Sequence, residues 1–268
     1  MIRLRPEGVF PLEVWNLPVG GRPLQAWRRT PRFASALREV VEGLRRDLPP
    51  PGAGTLRPAV RERASSVSHI YLTGGGATEP GLAQGLRAAG FSVSLAEAPR
   101  FAAAQAGLTW GAACVDVGQT SLKLARCSRR LSPSHDVTSV ERDLVAAPHR
   151  DETPLAARST ARASTIRFLS GAIAAHAREL PLVLALPCEL SDEGVLSGCT
   201  YCWKKGDETL LRELAEAAKV DWERLQVLND AELAAVSAQL DASVPAGEVT
   251  LVLTVGFGVG AALLEKVG

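Results

Sequence analysis

Ala112-Ala113-Cys114-Val115-Asp116-Val117-Gly118-Gln119-Thr120-Ser121-Leu122-Lys123-Leu124-Ala125-Arg126 is the stretch on which the fold turns. A short apolar run ends at a glycine, and the chain returns through an alternating run over residues 121–126, which is the pattern of a β-hairpin. Gly118 allows a tight turn, so that backbone N–H groups, Gln119 and the Thr120 hydroxyl can face a phosphate. Asp116 stands at the strand end, where a carboxylate can hold magnesium through waters, because Mg²⁺ dehydrates reluctantly. Lys123 either adds a point charge to a phosphate oxygen or points to solvent. An ordinary tight turn gives the same local pattern, so the surrounding segments decide.

Outward from this hairpin, residues 135–144 form a weaker third strand with Val137 and Val140. Residues 159–179 place Ile166, Leu169, Ile173 and Ala177 at helical spacing. A buried strand at 182–186 is stopped by Pro187, and helix 208–218, strand 225–228 and helix 231–240 follow. The remaining segments repeat this order when the two termini are read as joined. Residues 249–254 and 260–264 form a hairpin, 9–14 a third strand, and 32–46 a helix ended by a Pro-Pro-Pro-Gly loop. Strand 70–72, helix 80–88, strand 91–95 and helix 101–108 complete the second unit. The expectation is an α/β protein of two lobes facing a cleft. Residues 112–245 form one lobe, and residues 1–111 with 246–268 form the other, split across the termini.

Two further glycine loops follow predicted strands. In Thr254-Val255-Gly256-Phe257-Gly258-Val259-Gly260, three alternate glycines weaken a strand unless a ligand or another backbone comes close. No Lys-Ser/Thr follows, so it is not a P-loop, and no helix follows at once, as a dinucleotide fingerprint needs. A glycine bulge packed in the lobe interface is the structural alternative. In Leu72-Thr73-Gly74-Gly75-Gly76-Ala77, a strand runs into three glycines and then a helix. That arrangement favours an anion or a flat nucleotide face.

Together the loops resemble the acetate/sugar kinase, heat-shock chaperone and actin superfamily. Asp116-x-Gly118-x-Thr120-x-x-Lys123 looks like its first phosphate motif, and Gly256-x-Gly258-x-Gly260 looks like its second. Gly74, Gly75 and Gly76, followed by residues 98–108, are similar to its adenosine motif. The adenosine motif comes first here, so the resemblance implies a circular permutation. It also implies two ribonuclease H-like lobes (the actin-like ATPase fold) with ATP and Mg²⁺ between them. Leu184-Ala185-Leu186-Pro187, Asp192-Glu193-Gly194 and Leu228-Asn229-Asp230-Ala231 look like the ROK and hexokinase branch. In that branch the aspartate, here Asp230, is the general base on the substrate hydroxyl, and the asparagine, here Asn229, holds a neighbouring hydroxyl. A carboxylate at a strand's C-terminal edge sits at an open α/β crevice, although either residue is also a good helix N-cap. Phe257 replaces a small polar residue, and no Glu-x-Gly-His segment or cysteine-rich zinc cluster is present. The implied activity is ATP-dependent phosphorylation of a small hydroxylated metabolite. A non-kinase nucleotide switch, actin-like ATPase or degenerate scaffold is the alternative.

Composition narrows the classes. Of 268 residues, 30 are Lys or Arg and 29 are Asp or Glu, a formal charge of +1 that gives no footprint for nucleic acid or an anionic membrane. No stretch approaches the ~20 apolar residues that span a bilayer, and residues 1–6 lack a signal-peptide core. The five cysteines read as reduced thiols of a cytoplasmic protein. Cys199 and Cys202 form a lone Cys-x-x-Cys, and His135, His149 and His176 are scattered rather than paired, short of a zinc set. Oligomeric state and the identity of the acceptor are not encoded in any motif.

Overall fold

The computed structural model describes residues 13–17, 38, 41–42, 64–118, 121–127, 135–141, 154–177, 180–190, 196–197, 209–256 and 259–266. Its elements run β1 (Glu13–Leu17), β2 (His69–Thr73), α1 (Leu82–Ala88), β3 (Ser92–Leu95), α2 (Ala102–Ala106), β4 (Ala113–Val117), β5 (Ser121–Cys127) and β6 (His135–Glu141). They continue with α3 (Leu155–Ala177), β7 (Leu182–Leu186), β8 (Glu189–Leu190), β9 (Leu196–Ser197), α4 (Leu210–Ala218), β10 (Leu225–Asn229), α5 (Asp230–Leu240), β11 (Val249–Val255) and β12 (Val259–Glu265). The protein is mixed α/β with two five-stranded mixed sheets. Its chain divides into two compact units, one over Gly107–Asp230 and one over Val9–Ala106 with Ala231–Gly268.

In the first unit, β4, β5 and β6 form an antiparallel meander, while β7 runs parallel to β4 and β10 parallel to β7. The sheet order is β6-β5-β4-β7-β10. Every residue of β4 and β7 is buried, as expected of parallel strands covered on both faces, which read as continuous apolar runs. Val115, Val117, Leu122, Leu124, Leu184 and Val227 face a core shared with Leu169, Ile173 and Ala177 of α3 and Leu210 and Leu214 of α4. The two helices are tied by Arg162, which pairs with Glu213 and donates to Thr209 Oγ1 at 3.1 Å.

In the second unit the order is β1-β12-β11-β2-β3. Read in the sequence β11, β12, β1, β2, β3, it repeats the first sheet strand for strand. An antiparallel three-stranded meander comes first, then two strands added in parallel on the far side of its first member. Alternation along the strands sends Ile70, Leu72, Leu251, Leu253 and Leu263 to one face, against Leu82 and Leu86 of α1. It sends Tyr71, Val252, Ala262 and Leu264 to the other, against Ala234, Ala235 and Ala238 of α5.

Several boundaries differ from the expectation. The third strand of the second sheet is residues 13–17 rather than 9–14, with Glu13 opposite Leu263 and Leu17 opposite Val259; residues 9–12 lie outside the described set. Of the helix expected at 32–46, only residues 38, 41 and 42 are described, all helical. The first compact unit ends at Asp230 rather than at 245, because α5 is buried over Ala231–Ala238 and packs on the second sheet. Such a helix, alanine-rich and buried on all sides, shows no preferred face in its periodicity. Cys188 is disulfide-bonded, not a reduced thiol, and its partner lies outside the described residues; Cys114 and Cys127 are free. Among the described residues, no helix is long and apolar enough to cross a membrane.

Candidate functional site

The β4–β5 hairpin closes through the Gly118 amide, which donates to the Ser121 carbonyl at 3.0 Å. Gln119 and Thr120, expected at the phosphate, lie outside the described residues. Asp116 and Lys123 stand directly opposite in the ladder, so their side chains emerge on the same face of the sheet. Lys123 Nζ lies 3.2 Å from Asp116 Oδ2, and the two side chains are only 16% and 10% exposed. Lys123 therefore takes neither course open to it from sequence; it bonds the carboxylate beside it. A Cβ on Gly118 would sit 2.5 Å from that ammonium nitrogen and 2.9 Å from the Ser121 carbonyl oxygen. Cys114 is buried nearby, and burial, then the Asp116 charge, push its thiol well above the ordinary value.

Asp116, Pro187 and Asn229 stand at the C-terminal ends of β4, β7 and β10, three adjacent parallel strands of one sheet. Open α/β sheets bind ligands at that edge. With β7 between them, β4 and β10 are separated by about 10 Å at ordinary strand spacing. Asn229 pairs with Leu186 on the core face, whereas Asp116 pairs with Ala185 on the opposite one. The Asn229 Nδ2 donates to the Cys188 carbonyl at 2.8 Å, which fixes the end of β10 to the turn after β7. Asp230 follows at once as the first residue of α5 and is half-buried.

In the second unit β11 and β2 run parallel, with Thr254 opposite Thr73, so their C-terminal loops emerge side by side. Gly76 donates its amide to the Val255 carbonyl at 2.7 Å, and Gly74 donates to the Pro99 carbonyl at 2.8 Å. Thr73 Oγ1 donates to the same Pro99 oxygen at 3.0 Å. Gly74 has φ +89°, and a Cβ there would lie 2.5 Å from the Val255 oxygen, so both conformation and space demand glycine. Gly75 is exposed, with nothing within 4 Å of a built Cβ. The loop thus spends the amides of Gly74 and Gly76 inside the unit and presents the Gly75 backbone outward. Gly256 is half-buried at the end of β11; Phe257 and Gly258 lie outside the described residues. Gly260 stands opposite Thr254, and a Cβ on it would come 2.7 Å from the Thr254 Cγ2.

The fit to a magnesium ion is partial. Mg²⁺ usually takes one or two carboxylates with phosphate oxygens and waters, and Asp116 supplies one carboxylate of the right kind. Its Oδ2, however, is already bonded to an ammonium. Among the described residues, no group of three or more His, Cys, Asp or Glu could hold a metal by itself.

Sequence reasoning missed a polar latch at the end of α5. Tyr71 donates to Asp241 Oδ2 at 3.1 Å, and the Ser243 amide donates to Oδ1 at 2.8 Å. Lys266 Nζ donates to the Asp241 and Val244 carbonyls at 2.6 and 3.1 Å. Burial raises the Asp241 carboxyl, but hydrogen bonds from Ser243 and Tyr71 and the Lys266 charge outweigh it and hold the group below its ordinary value. Burial also pushes the Tyr71 phenol well up. Polar residues among apolar ones in β2 were the available signal. The chain matches no family model and no curated protein.

Proposed function

We propose that the chain is an ATP-dependent phosphotransferase acting on a small hydroxylated metabolite. It would be built on two ribonuclease H-like lobes of the actin-like ATPase fold in circularly permuted order. The observation that carries this reading is the repeated sheet order. Each sheet opens with a hairpin that turns on glycine, at Gly118 and at Gly256, and in the second the Gly74–Gly76 loop is bonded to the strand before the turn. Duplicate sheets with glycine turns at matching places are what the superfamily's phosphate motifs require.

In this reading Gly118, Gln119 and Thr120 of the first unit, and Gly256, Phe257 and Gly258 of the second, are the candidate phosphate-binding residues. Adenosine lies on the open Gly75 backbone. Asp116 would be the protein anchor for magnesium, which would supply charge neutralisation. Asp230 takes the proton from the attacking hydroxyl, and Asn229 orients the acceptor. Phosphoryl transfer asks mainly for such positioning and neutralisation plus one proton acceptor. ADP release measured with ATP and Mg²⁺ across a panel of sugars and polyols tests it. Release that rises with one acceptor supports the reading; no nucleotide affinity by calorimetry removes it.

A second reading, a nucleotide switch or scaffold without acceptor, is favoured by two departures in the sequence: Phe257 in the second glycine turn and the lack of a cysteine-rich zinc cluster. Acceptor-independent ADP release with tight nucleotide binding would select it.

A further inference from the structure

The opposition of Asp116 and Lys123 follows from the hairpin's register, with four residues between the paired Val117 and Leu122. Both side chains leave the sheet on the face away from the Val115 and Leu124 core. The ammonium lies between the carboxylate and the turn, in space kept open because residue 118 has no Cβ. A divalent cation brought to Asp116, directly or through one water, would stand within a few ångströms of that fixed positive charge. At two groups so little exposed, solvent screens the repulsion poorly.

We propose that Lys123 is the resident cation of this turn. It holds Asp116 in the nucleotide-free protein and keeps free magnesium out, and it yields the carboxylate only when an incoming polyphosphate draws the ammonium away. This rests on the nucleotide reading above and adds an order to it: the metal enters with the phosphates, never before them. Gly118 is the positioning element, since any side chain there displaces the ammonium.

The test is calorimetric titration of Mg²⁺ into nucleotide-free protein, with Mn²⁺ and its paramagnetic resonance as a second probe. Wild type and Lys123→Arg should show weak binding, and Lys123→Met should bind the metal at least about tenfold more tightly, because like-charge juxtaposition costs several kcal/mol. Equal affinity in wild type and Lys123→Met overturns the proposal. So does micromolar Mg²⁺ binding by the free wild-type protein, a result that needs no variant to fold. If Lys123→Met loses its cooperative melting, Lys123→Gln, which keeps a polar head at the turn, replaces it with the same expected direction. Failure of the wild-type protein to bind ATP would sink the nucleotide reading, while the free-protein Mg²⁺ comparison would still decide the role of Lys123.

Discussion

The two opening hairpins occupy the same place in two sheets of the same order, yet they differ at each step inward from the turn. Four residues separate the last ladder pair Val117–Leu122, and three separate Val255–Val259. One position further in, the first hairpin sets Asp116 against Lys123, whereas the second sets Thr254 against Gly260. One turn therefore carries opposite charges, and the other packs a threonine methyl against a glycine. Topology sets where a ligand can be offered backbone; the cross-strand pair beneath the turn sets what chemistry is offered with it.

The largest effect should come from the charged unit. If Asp230 accepts the acceptor's proton, Asp230→Asn keeps size and most capping ability but removes the basic oxygen. Turnover should then fall ~10²–10⁴-fold with ATP affinity and melting temperature almost unchanged. Full activity in a stable Asp230→Asn protein would take this residue out of the mechanism and leave the charged unit without a base.

In the glycine unit the expected losses are of stability. Gly74→Ala must adopt φ +89° and push its Cβ against the backbone of Val255, which should cost about 3 kcal/mol in urea denaturation. Gly75→Ala, in open space, should stay within about 0.5 kcal/mol of wild type. Equal losses at both positions would mean that the loop does not hold the conformation described.

A smaller effect separates the hairpins from each other. Gly260→Ala meets the Thr254 methyl at 2.7 Å and touches the Ala231 Cβ at an ordinary 3.4 Å, so it should cost about 1–2 kcal/mol, and adding Thr254→Ser should recover most of that in a double-mutant cycle. Gly118→Ala meets the Ser121 backbone oxygen as well as the Lys123 ammonium, so truncating Lys123 should not restore it. Rescue at both hairpins would show that the first turn gives way as readily as the second.

Much of this architecture was legible because β2, β4 and β7 are apolar runs buried along their whole length, and glycines or Pro187 punctuate their ends. The repeated order of elements followed from counting them. The Asp116–Lys123 contact was hidden because it depends on ladder register, which the number of turn residues decides and side-chain chemistry does not. The bonding of the Gly74 and Gly76 amides inside the unit was hidden because their acceptors, Pro99 and Val255, are distant in the chain. The allegiance of α5 was hidden by its alanine-rich surface: residues buried from 231 to 238 on all sides give no stripe by which to assign a partner.

The smallest expected effect is a pH slope, set by a group at the end of the second sheet away from its glycine loops. His69 is 2% exposed, and neither ring nitrogen has a hydrogen-bond partner among the described residues; neither does the Oγ1 of Thr250, which stands opposite it. Burial lowers the His69 pKa from 6.5, and the nearby Glu248 charge only partly offsets this. Below pH about 6.5 the unfolded chain takes up a proton that the folded chain still refuses, so stability should fall as pH drops from 6.5 toward the lowered folded value. Above 6.5 both states are neutral at this residue and the slope should vanish. Asp241 behaves differently, because its carboxyl is held below 3.8 and its contribution is lost only under stronger acid. Urea midpoints at pH 7.5, 6.5 and 5.5 for wild type and His69→Leu separate the two groups. The wild type should lose stability across the lower interval, and His69→Leu should lose less. The variant should also match or exceed wild type at pH 7.5, since it removes two buried polar atoms that each cost about 1–3 kcal/mol when unsatisfied. A His69→Leu protein much weaker than wild type at pH 7.5 would mean that the ring makes a bond in solution, and the interval from 6.5 to 5.5 would then report that bond instead.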